Sequence, residues 1–230
     1  MGEPFWLDWA QSATLWTLLE DIAMHSSSSL VIAFAMAALN PSTSAPQSID
    51  AAIVAYQKQQ YATALKLFEA AAQKGDREAQ HTLAFMYRDG RGTKRNDTKA
   101  IAWYRKAAEQ GYAPAEYNLG LMYAQGEGAK PDPAAAQTWF RRAADHGSVE
   151  AQVKLAEIAI FDEKYEEALL WFSKAADQND ADAAFNVGSL YYMGQGVAKD
   201  EAKATEYYRR AARLGMPEAK NVLMSLGQEP

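Results

Sequence analysis

Residues 103–111 read WYRKAAEQG, and the phrase returns as WFRRAADHG at 139–147, WFSKAADQN at 171–179 and YYRRAARLG at 207–215. In the first copy Ala100, Trp103, Tyr104, Ala107 and Ala108 fall at i, i+3, i+4, i+7 and i+8. That spacing predicts a helix with one continuous apolar face. The aromatic pair is expected to fill the space between helices, and the Ala-Ala pair to let a neighbouring helix approach. Gly111, Gly147 and Gly215 end three of the copies, where the chain turns through a left-handed residue that glycine adopts most cheaply. Asn179, the next most tolerant residue, ends the other. A single helix pair cannot bury such a face, so the repetition itself predicts stacking.

Outward from that phrase, the chain repeats with a period of 36 at 76–111 and 112–147, shortens to 32 at 148–179, and returns to 36 at 180–215. ALKLFEAAAQKG at 64–75 marks a further unit over about 44–75, and a last half-unit begins at Met216. Each full unit reads as helix, Gly-rich loop, helix. The first helix shows in Ala115, Leu119, Met122 and Tyr123, with counterparts Ala79, Leu83, Met86 and Tyr87, and Ala183, Val187, Leu190 and Tyr191. The loops carry Gly90 and Gly92, Gly126 and Gly128, and Gly194 and Gly196. Asn96, Asp132 and Asp200 then stand where an N-cap is needed, and Pro133 fits the first helical position. The predicted fold is all-α, a right-handed α-solenoid of stacked antiparallel helix pairs, with about five repeats over residues 48–227 and a final capping helix at 216–227.

Residues 1–47 form a separate head. No Lys or Arg precedes Lys58, whereas Glu3, Asp8, Glu20, Asp21 and Asp50 do, so the first 57 residues carry −5 of a net charge of −6. The apolar run LVIAFAMAAL at 30–39 is too short to span a bilayer. It fits the core of a secretory signal, with Asn40–Pro46 as a cleavage region and Met24 as an alternative start, which favours a periplasmic or secreted location. The competing reading is a buried helix packed on the repeats, preceded by an amphipathic helix bearing Trp6, Trp9, Trp16 and Leu19. Any membrane contact is expected only through this segment.

Chemistry is sparse. With no cysteine, disulfides, thiolate nucleophiles and thiolate metal sites are excluded. The GxG pairs lie between helices rather than after a strand and lack a following Gly-Lys-Ser/Thr, so they are not nucleotide loops. His25, His81 and His146 are scattered, which predicts no metal site, and no cofactor is implied. Asp162, Glu163, Glu166 and Glu167 open a helix, where acids suit the dipole. The basic pairs Arg105/Lys106, Arg141/Arg142 and Arg209/Arg210 are expected on a solvated face of the second helices. Overall acidity argues against a nucleic-acid partner, although RNA-reading helical repeats share a similar period.

LGLMYAQGEG (119–128), VGSLYYMGQGVAKD (187–200) and AIAWYRKAAEQG (100–111) resemble the Sel-one-like repeat family, a branch of the tetratricopeptide-like α-solenoids. The resemblance covers about 44–226. FDEKYEEAL at 161–169 and YQKQQYATAL at 56–65 replace the Gly-rich loop and resemble plain tetratricopeptide units, with Tyr61 and Tyr165 aligned. What the resemblance implies is a non-catalytic adaptor that holds a partner protein or peptide, in bacteria often for envelope signalling or host interaction. An envelope-associated enzyme or enzyme-modulating module is the alternative.

The resemblance also implies that the first helices line a concave face. Counted from the leucine landmark, the non-core positions there are His81, Phe85 and Arg88; Tyr117, Leu121 and Ala124; Val153, Glu157 and Ile160; and Phe185, Ser189 and Tyr192. A partner is expected chiefly on His81, Phe85, Arg88, Tyr117, Leu121, Phe185, Ser189 and Tyr192, a mostly apolar-aromatic set suited to protein binding.

Overall fold

A computed structural model describes residues 49–229; the apolar run at 30–39 and the tryptophans of the head lie outside them. Eleven α-helices and no strand occur among the described residues. They are α1 (Ile49–Gln57), α2 (Tyr61–Gln73), α3 (Arg77–Asp89), α4 (Asp97–Glu109), α5 (Ala113–Gln125), α6 (Pro133–Asp145), α7 (Val149–Phe161), α8 (Tyr165–Asp177), α9 (Ala181–Met193), α10 (Glu201–Arg213) and α11 (Pro217–Ser225). Each packs chiefly on its neighbours in sequence, giving the stacked helix pairs of an α-solenoid with about five repeats and a final helix. Contacts of this local kind are what a repeat array is built from.

The helix starts follow the sequence. Asn96, Asp132 and Asp200 accept the backbone N–H three residues on, each at 2.9 Å. The first helices use the same device: Asp76, Ser148 and Asp180 accept from Ala79, Ala151 and Ala183 at 2.8, 3.2 and 2.7 Å. Each such cap satisfies an amide that the helix itself cannot, typically stabilising by about 1 kcal/mol.

Within a repeat the two helices close on a ring. Tyr104, Phe140, Phe172 and Tyr208, the second members of the aromatic pairs, are buried. Gly120 and Gly188 lie under two of those rings: a Cβ on Gly120 would stand 2.6 Å from the Phe140 ring, and one on Gly188 2.9 Å from Tyr208. Ala84 and Ala156 hold the same place in the other two repeats and are fully buried.

The first members of the pairs differ from expectation. Trp171 is buried, but Trp103, Trp139 and Tyr207 are only half-buried. A cation lies over each tryptophan: Lys106 at 4.0 Å from Trp103, Arg142 at 4.6 Å from Trp139 and Lys174 at 4.0 Å from Trp171. One turn along the helix, the basic residue covers the ring that the neighbouring helix leaves open. Phe140→Ala is therefore the cavity mutation of its repeat, expected to cost about 3–5 kcal/mol. Trp139→Ala should cost clearly less, and urea melts of the two variants check the order.

Candidate partner-binding face and the joints that fix it

Four first helices, α3, α5, α7 and α9, set the expected binding positions at equivalent places in successive repeats. The leading position of each packs on the aromatic of its own second helix. His81 lies 5.4 Å from the Tyr104 ring, Tyr117 5.6 Å from Phe140 and Phe185 5.2 Å from Tyr208. Val153 is half-buried against the same core. These side chains thus have one edge in the core and another in solvent.

The next position is less uniform. Phe85 and Leu121 are half-buried, and Arg88 and Arg91 lie over the Phe85 ring at 5.5 and 5.1 Å. Glu157 is exposed and paired with Lys154. Ser189 donates to the Phe185 carbonyl at 3.1 Å and accepts from the Tyr208 hydroxyl at 3.3 Å, so it serves the helix pair. At the outer position Arg88 donates to Asn118 Oδ1 at 3.4 Å, Ala124 and Ile160 are exposed, and the exposed Tyr192 has Lys199 5.3 Å over its ring.

Asn118 was not among the expected residues, yet it joins two repeats. Its amide donates towards His81 Nε2 at 3.1 Å while its oxygen receives Arg88. Acceptance at Nε2 requires the unprotonated imidazole. Burial first, and the Arg88 charge second, push the His81 pKa down from 6.5 to about 4. Above pH 6.5 the ring is neutral folded and unfolded, and its contribution is fully present. As pH falls from 6.5 towards 4, the unfolded chain takes up a proton that the folded one refuses, and stability is lost. His81→Gln should remove about 2–3 kcal/mol of acid sensitivity across that window. Urea melts of wild type and variant at matched pH values measure the difference, with the carboxylate titrations common to both.

The frame holding these positions depends on a joint repeated between successive repeats. The second helix of one repeat ends on a carbonyl that already accepts a backbone N–H of its own turn, as Ala72 O does from Gly75 at 3.1 Å, and the next repeat adds a side-chain donor to it. Gln80 donates to Ala72 O at 3.1 Å and accepts from Gln110 at 2.7 Å; Gln152 donates to Ala144 O at 3.1 Å and accepts from Gln178 at 3.0 Å. Glu116, in the equivalent place, has no proton to donate. There Arg142 reaches Ala108 O at 3.1 Å and pairs with Glu116 at 3.1 Å, while His146 Nδ1 meets the other carboxylate oxygen at 2.7 Å. With Ala184 at that place, Arg210 alone bonds to Ala176 O and pairs with Asp177 at 3.2 Å.

The basic pairs are therefore not simply a solvated face. Their second members close joints or cover tryptophans; Arg105 bonds to the Tyr123 hydroxyl and Arg141 to Glu167. The acidic group at 162–167 is likewise structural in part, since Arg141 holds the Glu167 carboxyl below its usual range. Glu116 is 0% exposed, so removing Arg142 leaves one oxygen of a buried carboxylate without its partner and the other held only by His146. Arg142→Ala should cost about 3–5 kcal/mol. Glu116→Gln should cost much less, because glutamine fills this place in two other repeats. Thermal or urea unfolding of the two variants tests the asymmetry.

The repeat geometry is a known one. The Sel1 repeat family model matches residues 55–76, 77–112, 113–148, 149–180 and 181–216, and the chain belongs to that family. A Sel1 repeat protein from Oxalobacter formigenes superposes with a TM-score of 0.67 at 36% identity, over 72% of this chain and 49% of that one. A protective antigen of uropathogenic Escherichia coli strains, displaying the same fold, superposes at 0.69 with 28% identity, over 73% of this chain and 37% of that one. Chitin synthase regulatory factor 3 of Schizosaccharomyces pombe is 45% identical over 64 residues, which is 28% of this chain and 7% of that protein. The chain thus spans less than half the length of each of these relatives. Proteins built from Sel1 repeats generally mediate protein–protein interaction.

Proposed function

We propose that the chain is a non-catalytic scaffold that holds a partner protein or peptide along the exposed edges of its first helices. One observation carries this reading: identical frames present different side chains at one place, His81, Tyr117, Val153 and Phe185, each with an edge left to solvent. Rigid half-exposed aromatics bind well because little side-chain freedom is lost on contact. Arg88 and Tyr192 extend the face at its rim, each steadied by a neighbour, Asn118 and Lys199.

The name of the fission yeast relative, a regulatory factor, agrees with a role exerted through another protein rather than through chemistry. A periplasmic or secreted location, with the envelope as the setting, is part of this proposal and rests on the apolar run at 30–39. Combining Arg88→Glu with Tyr117→Ser and Tyr192→Ser should abolish capture of the partner identified by pull-down from the native host, while helical circular dichroism is retained. Undiminished capture by the folded triple variant would move the binding face elsewhere.

A further inference from the structure

Tyr104 is fully buried, and its hydroxyl has no hydrogen-bond partner among the described residues. The other repeats fill the same place differently. Tyr208 donates to Ser189 Oγ at 3.3 Å, and Phe140 and Phe172 bring no hydroxyl. Phe85 stands in α3 where Ser189 stands in α9, so Tyr104 has no serine to bond. A buried donor without an acceptor costs stability, and phenylalanine at position 104 would avoid that cost. Burial pushes the Tyr104 pKa up to about 12, against the Arg88 charge, so the group stays a donor at neutral pH.

The charges that act on this hydroxyl are Arg88, Asp89 and Glu127. Both acids are already taken: Arg91 pairs with Asp89 at 2.9 Å and Arg95 with Glu127 at 3.3 Å. Arg91 is committed on its other side as well. It lies over the Tyr56 and Tyr61 rings at 5.5 and 5.7 Å. Beside it the glycine turn covers the start of α2, where a Cβ on Gly92 would stand 2.4 Å from the Tyr61 carbonyl oxygen. Gly128 and Gly196 close in the same way on the starts of α4 and α8, at Asp97 and Tyr165. Arg88 is different. It takes part in no ion pair among the described residues, and its hydrogen bond there is to the neutral Asn118 at 3.4 Å.

We propose that Arg88 and the Tyr104 hydroxyl form a subsite for a carboxylate of the bound partner, brought by an acidic side chain or by a chain terminus. The inference rests on the first-helix reading of the function and names the chemistry that one part of that face recognises. Donors in want of an acceptor call for an acceptor, and one uncompensated positive charge calls for one negative charge. A carboxylate meets both needs, with one oxygen for a guanidinium N–H and the other for the hydroxyl. An amide supplies only the acceptor, and a phosphate dianion brings more charge than Arg88 balances. Phe85, half-buried with Arg88 5.5 Å over its ring, is the side chain that turns aside to admit the group. Tyrosine at position 104 then serves binding at a small cost to folding.

The test titrates the full isotopically labelled chain with N-acetyl-glutamate α-amide, which offers a side-chain carboxylate, and separately with N-acetyl-leucine, which offers a terminal one. N-acetyl-glutaminamide is the uncharged control, and inorganic phosphate the competing anion. Saturable shifts of the Arg88 Nε–H and the Asn118 side-chain amide are expected with carboxylate, and the tighter of the two probes names its source. Tyr104→Phe should weaken that probe at least about tenfold, the loss expected for a hydrogen bond to a charged group. Arg88→Met should abolish its binding. The Tyr104→Phe chain should melt no earlier than wild type, since phenylalanine holds the equivalent place at 140 and 172. Five results would each overturn the proposal: no shifts with either carboxylate, equal binding of the amide control, equal binding of phosphate, full binding by Tyr104→Phe, or a lowered melting temperature in that variant, as when a bound water already satisfies the hydroxyl. These probes need no partner, so their failure counts against this subsite alone, whereas capture by the folded triple variant counts against the first-helix reading.

Discussion

The closest constraint in this molecule is the space beneath one aromatic ring per repeat. The residue after the landmark Leu119 or Val187 is Gly120 or Gly188, because the ring of Phe140 or Tyr208 stands directly over it, and the equivalent Ala84 and Ala156 of the other two repeats are fully buried. That contact sets how near the two helices of a pair come. The glycine turns then cover the helix start behind them, and the Gln or Arg side chains reach the carbonyls that end the previous second helix. Each layer of the array is thus fixed twice, by apolar closure within a repeat and by hydrogen bonds between repeats.

The joints show how one geometric requirement tolerates several chemistries. The carbonyl near the end of each second helix takes a further donor from the next repeat: Gln80 and Gln152 supply it directly, while Arg142 and Arg210 supply it from the other helix of the repeat. Burying Glu116 in the arginine version is tolerable because Arg142 and His146 occupy both its oxygens. The same economy runs through the first-helix row. His81, Tyr117 and Phe185 brace the core with one edge and leave the other to solvent, so under the proposed function recognition and stability would share residues there.

Most of the fold was legible because its signals repeat. The helix periodicity, the caps at Asn96, Asp132 and Asp200 and the glycines ending three of the four phrases all recur in register. What escaped the sequence was pairing across repeats. The roles of Arg142 and Arg210 depend on a residue 26 positions earlier, and a recurring Arg reads as solvated surface until Glu116 and Ala184 are seen to break the Gln pattern of positions 80 and 152. Trp139 reads as core from its spacing, yet the neighbouring helix leaves its ring to Arg142. Along the first-helix row, the side-chain contacts were not legible: Ser189 is engaged by Tyr208, and Asn118 is a partner of His81 that no apolar pattern marks.

A site-specific photo-crosslink tests most directly whether this frame presents a protein partner on its first helices. A photoreactive residue placed at Arg88 or Tyr192, and for comparison at Thr138 on a second helix, would be irradiated in the native host and its adducts sequenced. The account predicts one shared protein adduct from positions 88 and 192 and none from position 138. Adducts from position 138 alone would contradict it.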